Sequence, residues 1–418
     1  MNDSKLAGKL KAQIKRFSKR LTQDMTKTQR RFIAEMLYGI QASKDVKISN
    51  ISRSLNEIIP LIKTENRLCR NLSSTDFSRY LNEKLGEQAS QVLTDDVVLA
   101  ADLGDICKPF AKKMENLALI YDGSEKKVRK GYSLCQIVAA HPDSDHIVPV
   151  YGDLFSTTAE GFLSQNITFR EAIFSAWETS HRRGIVAIDR GGDRREILVP
   201  LLDRGVRFVV RMRGDRKVLF KDKEPTAMSK LAETCLLNTY RTVIVSRNEK
   251  FKSYNLRVGF VPVRLRERPD QGVSLVVIEG FGKRPLLLLT NVSTSAKDSF
   301  ESWILDIYLT RWKCEETYRF LKQSYQLEDV RVRGYSALKN IYALVNLVMF
   351  FLCVVIGSRQ KMRVLYTSLC NQARRFFEVG PFYHYALADG IYRLLFRSQA
   401  GILATKTIIP KVQLVLNL

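Results

Sequence analysis

The segment "GIVAIDRGGDRR", Gly184 to Arg195, decides the fold class. Ile185 to Ile188 offer no polar side chain, so the run has the character of a short strand buried on both faces. It ends on a carboxylate, Asp189. The sequence "DRREILVPLLDRG" that follows is helix-forming, with Pro200 expected to interrupt or kink it. The same texture occurs upstream in "VVLAAD", ending on Asp102, and "VRFVVRMR" supplies one more strand downstream. Between the two aspartates lie "LALIYDGS" and "GYSLCQIVAA", expected to pair antiparallel across a charged turn. A helix follows in "NITFREAIFSAWETSHRR", with Phe169, Ile173, Ala176 and Trp177 on one side. From Val97 the predicted order is strand (Asp), strand, strand, helix, strand (Asp), helix, strand, which is an α/β core.

Open α/β sheets place ligand sites at the carboxyl ends of their strands. An aspartate there serves equally well as a helix cap or a turn residue. Two such strands in one sheet would bring the carboxylates of Asp102 and Asp189 together. That arrangement is unfavourable until a divalent cation removes the conflict, and Mg²⁺ needs only two or three carboxylates.

A third carboxylate comes from "YLTRWKCEETYRFLK", Tyr308 to Lys322. On one helix Tyr308, Arg311, Glu315 and Lys322 fall within an arc of roughly 60°. Around them stand Trp303, Ile304, Leu305, Ile307, Leu309, Trp312, Phe320 and Leu321. One reading is a buried Arg–Glu pair one turn apart, with Tyr308 and Lys322 as bystanders. The other turns Glu315 inward to complete a metal site with Asp102 and Asp189. Arg311 and Lys322 then hold a phosphate, and Tyr308 donates a hydrogen bond or packs on sugar. Two metals about 3.5–4 Å apart suit phosphodiester hydrolysis or transesterification.

The remaining chain frames this core. Residues 1–92 are predicted helical and rich in base. Within them "KDVKISNISRSLNE" has the spacing of a small helix-turn-helix-like element. "RTVIVSR", "LRVGFVPVRLR", "VSLVVIEGF" and "PLLLLTN" make residues 216–294 a β-rich insertion. It divides the core into 93–215 and 295–340. Residues 341–418 are predicted helical, and their Phe, Tyr and Leu content is assigned to dimerisation.

Lys and Arg number 67 against 43 acidic residues, a net charge of +24. Such a surplus favours a polyanionic partner, nucleic acid or an anionic membrane surface. The most apolar run, Ala343 to Ile356, contains Asn346 and is shorter than the roughly 20 residues of a membrane span, so a buried helix is expected and no membrane partner. The N-terminus lacks the uninterrupted apolar stretch of a secretory signal. Seven cysteines without CxxC spacing argue against a disulfide scaffold or a cysteine zinc site, and for a reduced, cytoplasmic protein. His141 and His146 in "HPDSDH" have the surroundings of a solvated hairpin loop. "RGD" at 213–215 has those of a turn, with Arg211, Arg213 and Arg216 as candidate phosphate contacts. No P-loop or GxGxxG occurs.

The spacing Tyr308-x2-Arg311-x3-Glu315-x6-Lys322 resembles the Y-R-E-K signature of DDE insertion-sequence transposases of the IS-four branch. "DRGGDRR" resembles the second-Asp motif of that family, "FVVRMRGDR" the strand after it, and "LLLLTN" the strand leading into the YREK helix. The resemblance covers about 95 to 340. It implies a ribonuclease-H-like core with Asp102, Asp189 and Glu315 binding two Mg²⁺ ions, Mn²⁺ substituting. It also implies a homodimer on double-stranded DNA that cuts at terminal inverted repeats and joins the element to target DNA, working at the nucleoid. Asp105 competes with Asp102 and Glu316 with Glu315, the spacing favouring Glu315. The rivals are a ribonuclease-H-like nuclease that cuts without joining and a catalytically inactive transposase-derived DNA-binding protein.

Overall fold

The computed structural model describes residues 3–123, 125–221, 224–247, 250–357, 363–373, 383–398 and 401–402. Among them the chain opens with helices α1 (Asp3–Leu21), α2 (Lys27–Ser43), α3 (Ile48–Leu55), α4 (Leu61–Ser73) and α5 (Ser78–Ser90). Then come β1 (Val98–Cys107), β2 (Ala118–Asp122), β3 (Lys127–Ala140), β4 (Ile147–Phe155), α6 (Gln165–Thr179), β5 (Ile185–Ile188), α7 (Arg195–Asp203) and β6 (Phe208–Arg211). The insertion supplies β7 (Lys217–Leu219), β8 (Thr226–Ala227), α8 (Met228–Glu233), β9 (Thr239–Arg247), β10 (Lys250–Leu265), β11 (Arg268–Glu279) and β12 (Leu286–Thr290). The remaining helices are α9 (Phe300–Thr310), α10 (Trp312–Ser324), α11 (Tyr335–Phe350), α12 (Arg363–Gln372) and α13 (His384–Ser398).

Two compact units result. One comprises Leu85–Asp105 and Ala118–Tyr318; the other comprises Met1–Lys84, Ile106–Leu117 and Arg319–Leu418. The N-terminal helices and the described C-terminal helices, expected as separate regions, therefore share a unit.

The first unit is built on one mixed sheet of order β2-β3-β1-β5-β6-β12-β11-β10-β7-β8, with β4 on β3 and β9 on β10. β1, β5 and β6 are parallel, and β2–β3 and β3–β4 are antiparallel hairpins. α6 precedes β5 and α7 precedes β6. Three neighbouring parallel strands with crossover helices, extended through β1 by an antiparallel meander, make the core ribonuclease-H-like. The insertion does not stand apart from it. β12 runs antiparallel to β6, pairing Leu288 with Arg211, so the core sheet continues into the β-rich segment.

The parallel strands form where the sequence leaves no polar face. Ile185 to Ile188 are all buried, and the chain enters β5 through Gly184 at φ +90°. A Cβ there would also lie 2.9 Å from Leu99 Cγ, so β5 can approach β1 only through glycine. α9 closes this face, burying Phe300, Ile304, Ile307 and Tyr308 against Ile185, Ala187, Val209 and Leu288. Each such side chain adds about 1.5–3 kcal/mol relative to exposure.

Four expectations change. β4 escaped notice because Pro149 and Gly152 break its pattern; Pro149 is accommodated beside a register shift between Ile137 and Val138. β1 does not end at Asp102 but continues to Cys107. Pro200 lies inside α7 without ending it. A proline there leaves the carbonyl of Glu196 without its intrahelical donor, and Arg170 Nη1 donates to that oxygen at 3.5 Å. Finally, the single helix expected across Tyr308–Lys322 is two, broken at Arg311.

In the second unit α1 buries Leu6, Leu10, Ile14, Phe17 and Leu21, an i, i+4 and i+3 stripe. Phe17 stacks on Phe350 with centroids 5.9 Å apart. The apolar run Ala343–Ile356 belongs to a longer helical stretch, Tyr335–Ile356, whose 22 residues are long and apolar enough to cross a membrane. It is 94% buried inside the protein, as a core helix is. Its Asn340 is satisfied there: it donates to Leu72 O and Thr75 O and accepts from Phe77 N. In the expected helix-turn-helix region, α3 buries Ile48, Ile51 and Leu55 and exposes Arg53. The dimerisation assignment for 341–418 falls in part on residues 358–362, 374–382, 399–400 and 403–418, which lie outside the described residues.

Candidate active site

β1 and β5 pair Val98 with Ile185, Leu99 with Val186 and Ala100 with Ala187. The same offset carried two residues further sets Asp102 opposite Asp189. Neighbouring strands lie about 4.8 Å apart, and residues two apart share a face, so both aspartates belong to the face of Ala100 and Ala187. Asp105 is three residues beyond Asp102 and falls on the opposite face. Asp189 caps a short 3₁₀ turn, Arg190–Gly192, accepting from Gly191 N at 2.7 Å.

Glu315 lies in the first turn of α10, where a carboxylate is favoured by the helix dipole. Arg311 ties it to the sheet. Nη1 donates to Asp102 Oδ2 at 2.9 Å and Nη2 to Glu315 Oε1 at 2.6 Å. The Arg311 side chain is 6% exposed, against 18% for Asp102 and 34% for Glu315. The buried Arg–Glu pair and the carboxylate cluster are thus one structure. Glu316, rotated about 100° from Glu315, acts on Lys313 instead.

The three acids act on one another electrostatically. Burial pushes the Asp102 carboxyl up to about 7; Arg311 opposes the shift, and the charges of Asp189 and Glu315 add to it. Burial of Arg311 disfavours its charge, but Asp102, Tyr308 and Glu315 outweigh it and hold the guanidinium above its ordinary value.

Two of the expected DNA contacts are not at the surface: Tyr308, expected to donate a hydrogen bond or pack on sugar, and Arg311, expected to hold a phosphate. Tyr308 is 4% exposed and packed in the apolar core, and Arg311 is spent on carboxylates. The reason is what packs over them: Tyr308 lies among apolar side chains of β5, β6 and β12, and Arg311 lies between Asp102 and Glu315. At the break between α9 and α10 Arg311 N bonds Tyr308 O at 3.1 Å, a three-residue span, so Tyr308 leaves the regular arc while Arg311 and Glu315 still pair one turn apart. Lys322, in the other unit, pairs with Glu328 at 3.0 Å. Arg211 is half-buried at the end of β6 and Arg213 is exposed. Arg216 is engaged with Asp193 at 2.6 Å and with Glu267 at 3.4 Å.

Other residues emerge only in three dimensions. Tyr318 donates from its hydroxyl to Asp102 O at 2.9 Å, and its ring lies on Gly104, where a Cβ would sit 2.8 Å from Tyr318 Cζ. Asp193, 3% exposed, accepts from Arg213 N and Arg216 Nε, fixing the turn after β6. Arg190, Arg194 and Arg195 are exposed around Asp189; they stand in the quoted "DRGGDRR" but received no role. Trp312, counted with the apolar residues, is 48% exposed beside Arg311. The histidine loop anchors α10: Lys313 Nζ donates to His141 O at 2.8 Å and to Ser144 O. Cys314 Sγ adds a contact to Gln136 O of β3 at 3.5 Å.

Residues 167–351 match the family described as "Transposase DDE domain". The matched DDE segment begins in α6, contains Asp189, Arg311 and Glu315, and ends after α11. It leaves out β1 and Asp102. No curated protein matches the chain. A solved piggyBac transposase synaptic complex with hairpin DNA, determined by cryo-electron microscopy, aligns at 10% identity and a TM-score of 0.42, covering 90% of this chain and 74% of that one. That likeness is too distant to bear on activity.

Proposed function

We propose that the chain is a DDE transposase. It cuts DNA at the terminal inverted repeats of an insertion sequence and transfers the freed 3′ ends to target DNA, working as a homodimer on nucleoid DNA in the cytoplasm. The observation that carries this reading is the parallel register of β1 and β5 up to Ala100 and Ala187, two residues short of Asp102 and Asp189, with Glu315 tied to Asp102 through Arg311. The net charge of +24 and the DDE-domain match agree with it.

The donor set fits Mg²⁺, or Mn²⁺ in its place. It consists of oxygen ligands only, and a divalent cation would offset both the burial that raises the Asp102 carboxyl and the smaller repulsion from Asp189 and Glu315. Asp102, Asp189 and Glu315 would hold two such ions, whose chemistry there would be activation of a water or 3′-hydroxyl and charge neutralisation at the leaving oxygen. Gly191 N fixes the orientation of Asp189, and Tyr318 fixes the backbone of Asp102. The exposed Arg190, Arg194, Arg195 and Arg213 take the phosphate-contact role expected of Arg311, while Trp312 offers a face for a base or sugar.

One observation favours the rival of an inactive DNA-binding protein: Arg311 occupies oxygens of two of the three acids. A DNA fragment carrying the ends that flank the gene separates the readings. The wild type should cleave and join in Mg²⁺, and Glu315→Gln should bind the DNA but do neither. Cleavage without joining would favour a nuclease; binding without cleavage by the wild type would favour the inactive protein.

A further inference from the structure

Arg311 and a divalent cation have claims on the same oxygens. The guanidinium reaches Asp102 through Nη1 and Glu315 through Nη2, one bond to each of two carboxylates. Arginines that brace an acid for structural reasons commonly grip it through paired donors. Here the fork is opened across two acids, and Nε is buried with no hydrogen-bond partner. A cation drawing on Asp102, Asp189 and Glu315 meets both a positive charge and two engaged acceptor oxygens. The site carries three carboxylates against one guanidinium, so removing the guanidinium leaves a more negative cage.

We propose that Arg311 is a resident counter-ion, displaced from Asp102 and Glu315 when a divalent cation binds, so that it sets the cation affinity of the site. The proposal rests on the assignment of these acids as cation ligands. It makes Arg311 a positioning residue whose substitution has opposite effects on the free and loaded protein. A merely structural arginine would weaken both alike.

The test is Mn²⁺ binding by calorimetry, with the thermal midpoint measured in chelator and in excess Mn²⁺. Arg311→Gln should melt below the wild type in chelator, bind Mn²⁺ with a dissociation constant lower by on the order of tenfold, and show the larger Mn²⁺-induced rise in melting temperature. Arg311→Lys, which keeps the charge but loses the fork, should fall between them and decides the question if Arg311→Gln does not fold. If Asp189→Asn and Glu315→Gln weaken Mn²⁺ binding while the folded Arg311 variant binds as the wild type or more weakly, the counter-ion proposal is overturned and the carboxylate site stands. If neither acid substitution affects Mn²⁺ binding, the carboxylate site itself is wrong, and the counter-ion role falls with it.

Discussion

At the residue scale the candidate site turns on Asp102. Burial beside Asp189 and Glu315 raises its carboxyl from 3.8 to about 7. A carboxyl whose native pKa lies above its unfolded value stabilises the fold below the unfolded pKa and loses that contribution as pH rises through the native one. The cation-free protein should therefore lose stability between about pH 4 and pH 7 through this group, and Asp102→Asn should flatten that part of the profile. Denaturant midpoints measured in chelator across this range check the sign; a wild-type profile unchanged by the substitution would contradict it. Gly104 gives a second check. A Cβ there would press on the Tyr318 ring, whose hydroxyl is already committed to Asp102 O. Gly104→Ala should cost about 1–3 kcal/mol in urea unfolding, and much less in a Tyr318→Leu background. Asp102, Asp189 and Glu315 could be picked out as candidates from the sequence because each stands in a local pattern, a buried run or a fixed helical spacing. Tyr318 was not, since Asp102 and Gly104 lie more than two hundred residues away, and neither was the burial of Tyr308 and Arg311, which depends on what packs over them.

At the element scale, the strands without polar residues and the amphipathic helices could be read directly, because burial on both faces or on one stripe leaves a period in the sequence. β4 could not, since Pro149 conceals a strand that a bulge accommodates. The break between α9 and α10 left no trace either: Arg311 is an ordinary helix former, and the break shows only in the three-residue span from Arg311 N to Tyr308 O. The turn after β6 is likewise held from a distance, by Asp193 of the preceding turn. Asp193→Ala would leave the Arg216 guanidinium and the Arg213 N–H without their main acceptor. The cost should be about 3 kcal/mol, at the low end for breaking a buried pair because Glu267 remains near Arg216. Asp193→Asn, which keeps an acceptor oxygen, should cost less. Equal stability of Asp193→Ala and the wild type in denaturant titrations would show that the latch contributes nothing.

At the scale of the whole molecule, sequence spacing anticipated a core interrupted by β strands. It did not anticipate that the insertion continues the core sheet through β12, nor that helices from both ends of the chain share one unit, because neither pairing has a local signature. The charge of +24 predicts DNA binding dominated by phosphate contacts, with affinity falling steeply as salt rises. Replacing Arg190 and Arg194 together by Ala should reduce the slope of log affinity against log salt by about 1–2; an unchanged slope would remove these arginines from the interface. The central claim is that three acids far apart in sequence form one cation site. Its most direct test is backbone cleavage by bound Fe²⁺ with ascorbate and peroxide, followed by mass mapping of the fragments. Cuts should cluster near Asp102, Asp189 and Glu315 and all be lost in Asp189→Asn. Cuts elsewhere, or cuts at these places that survive Asp189→Asn, would contradict it.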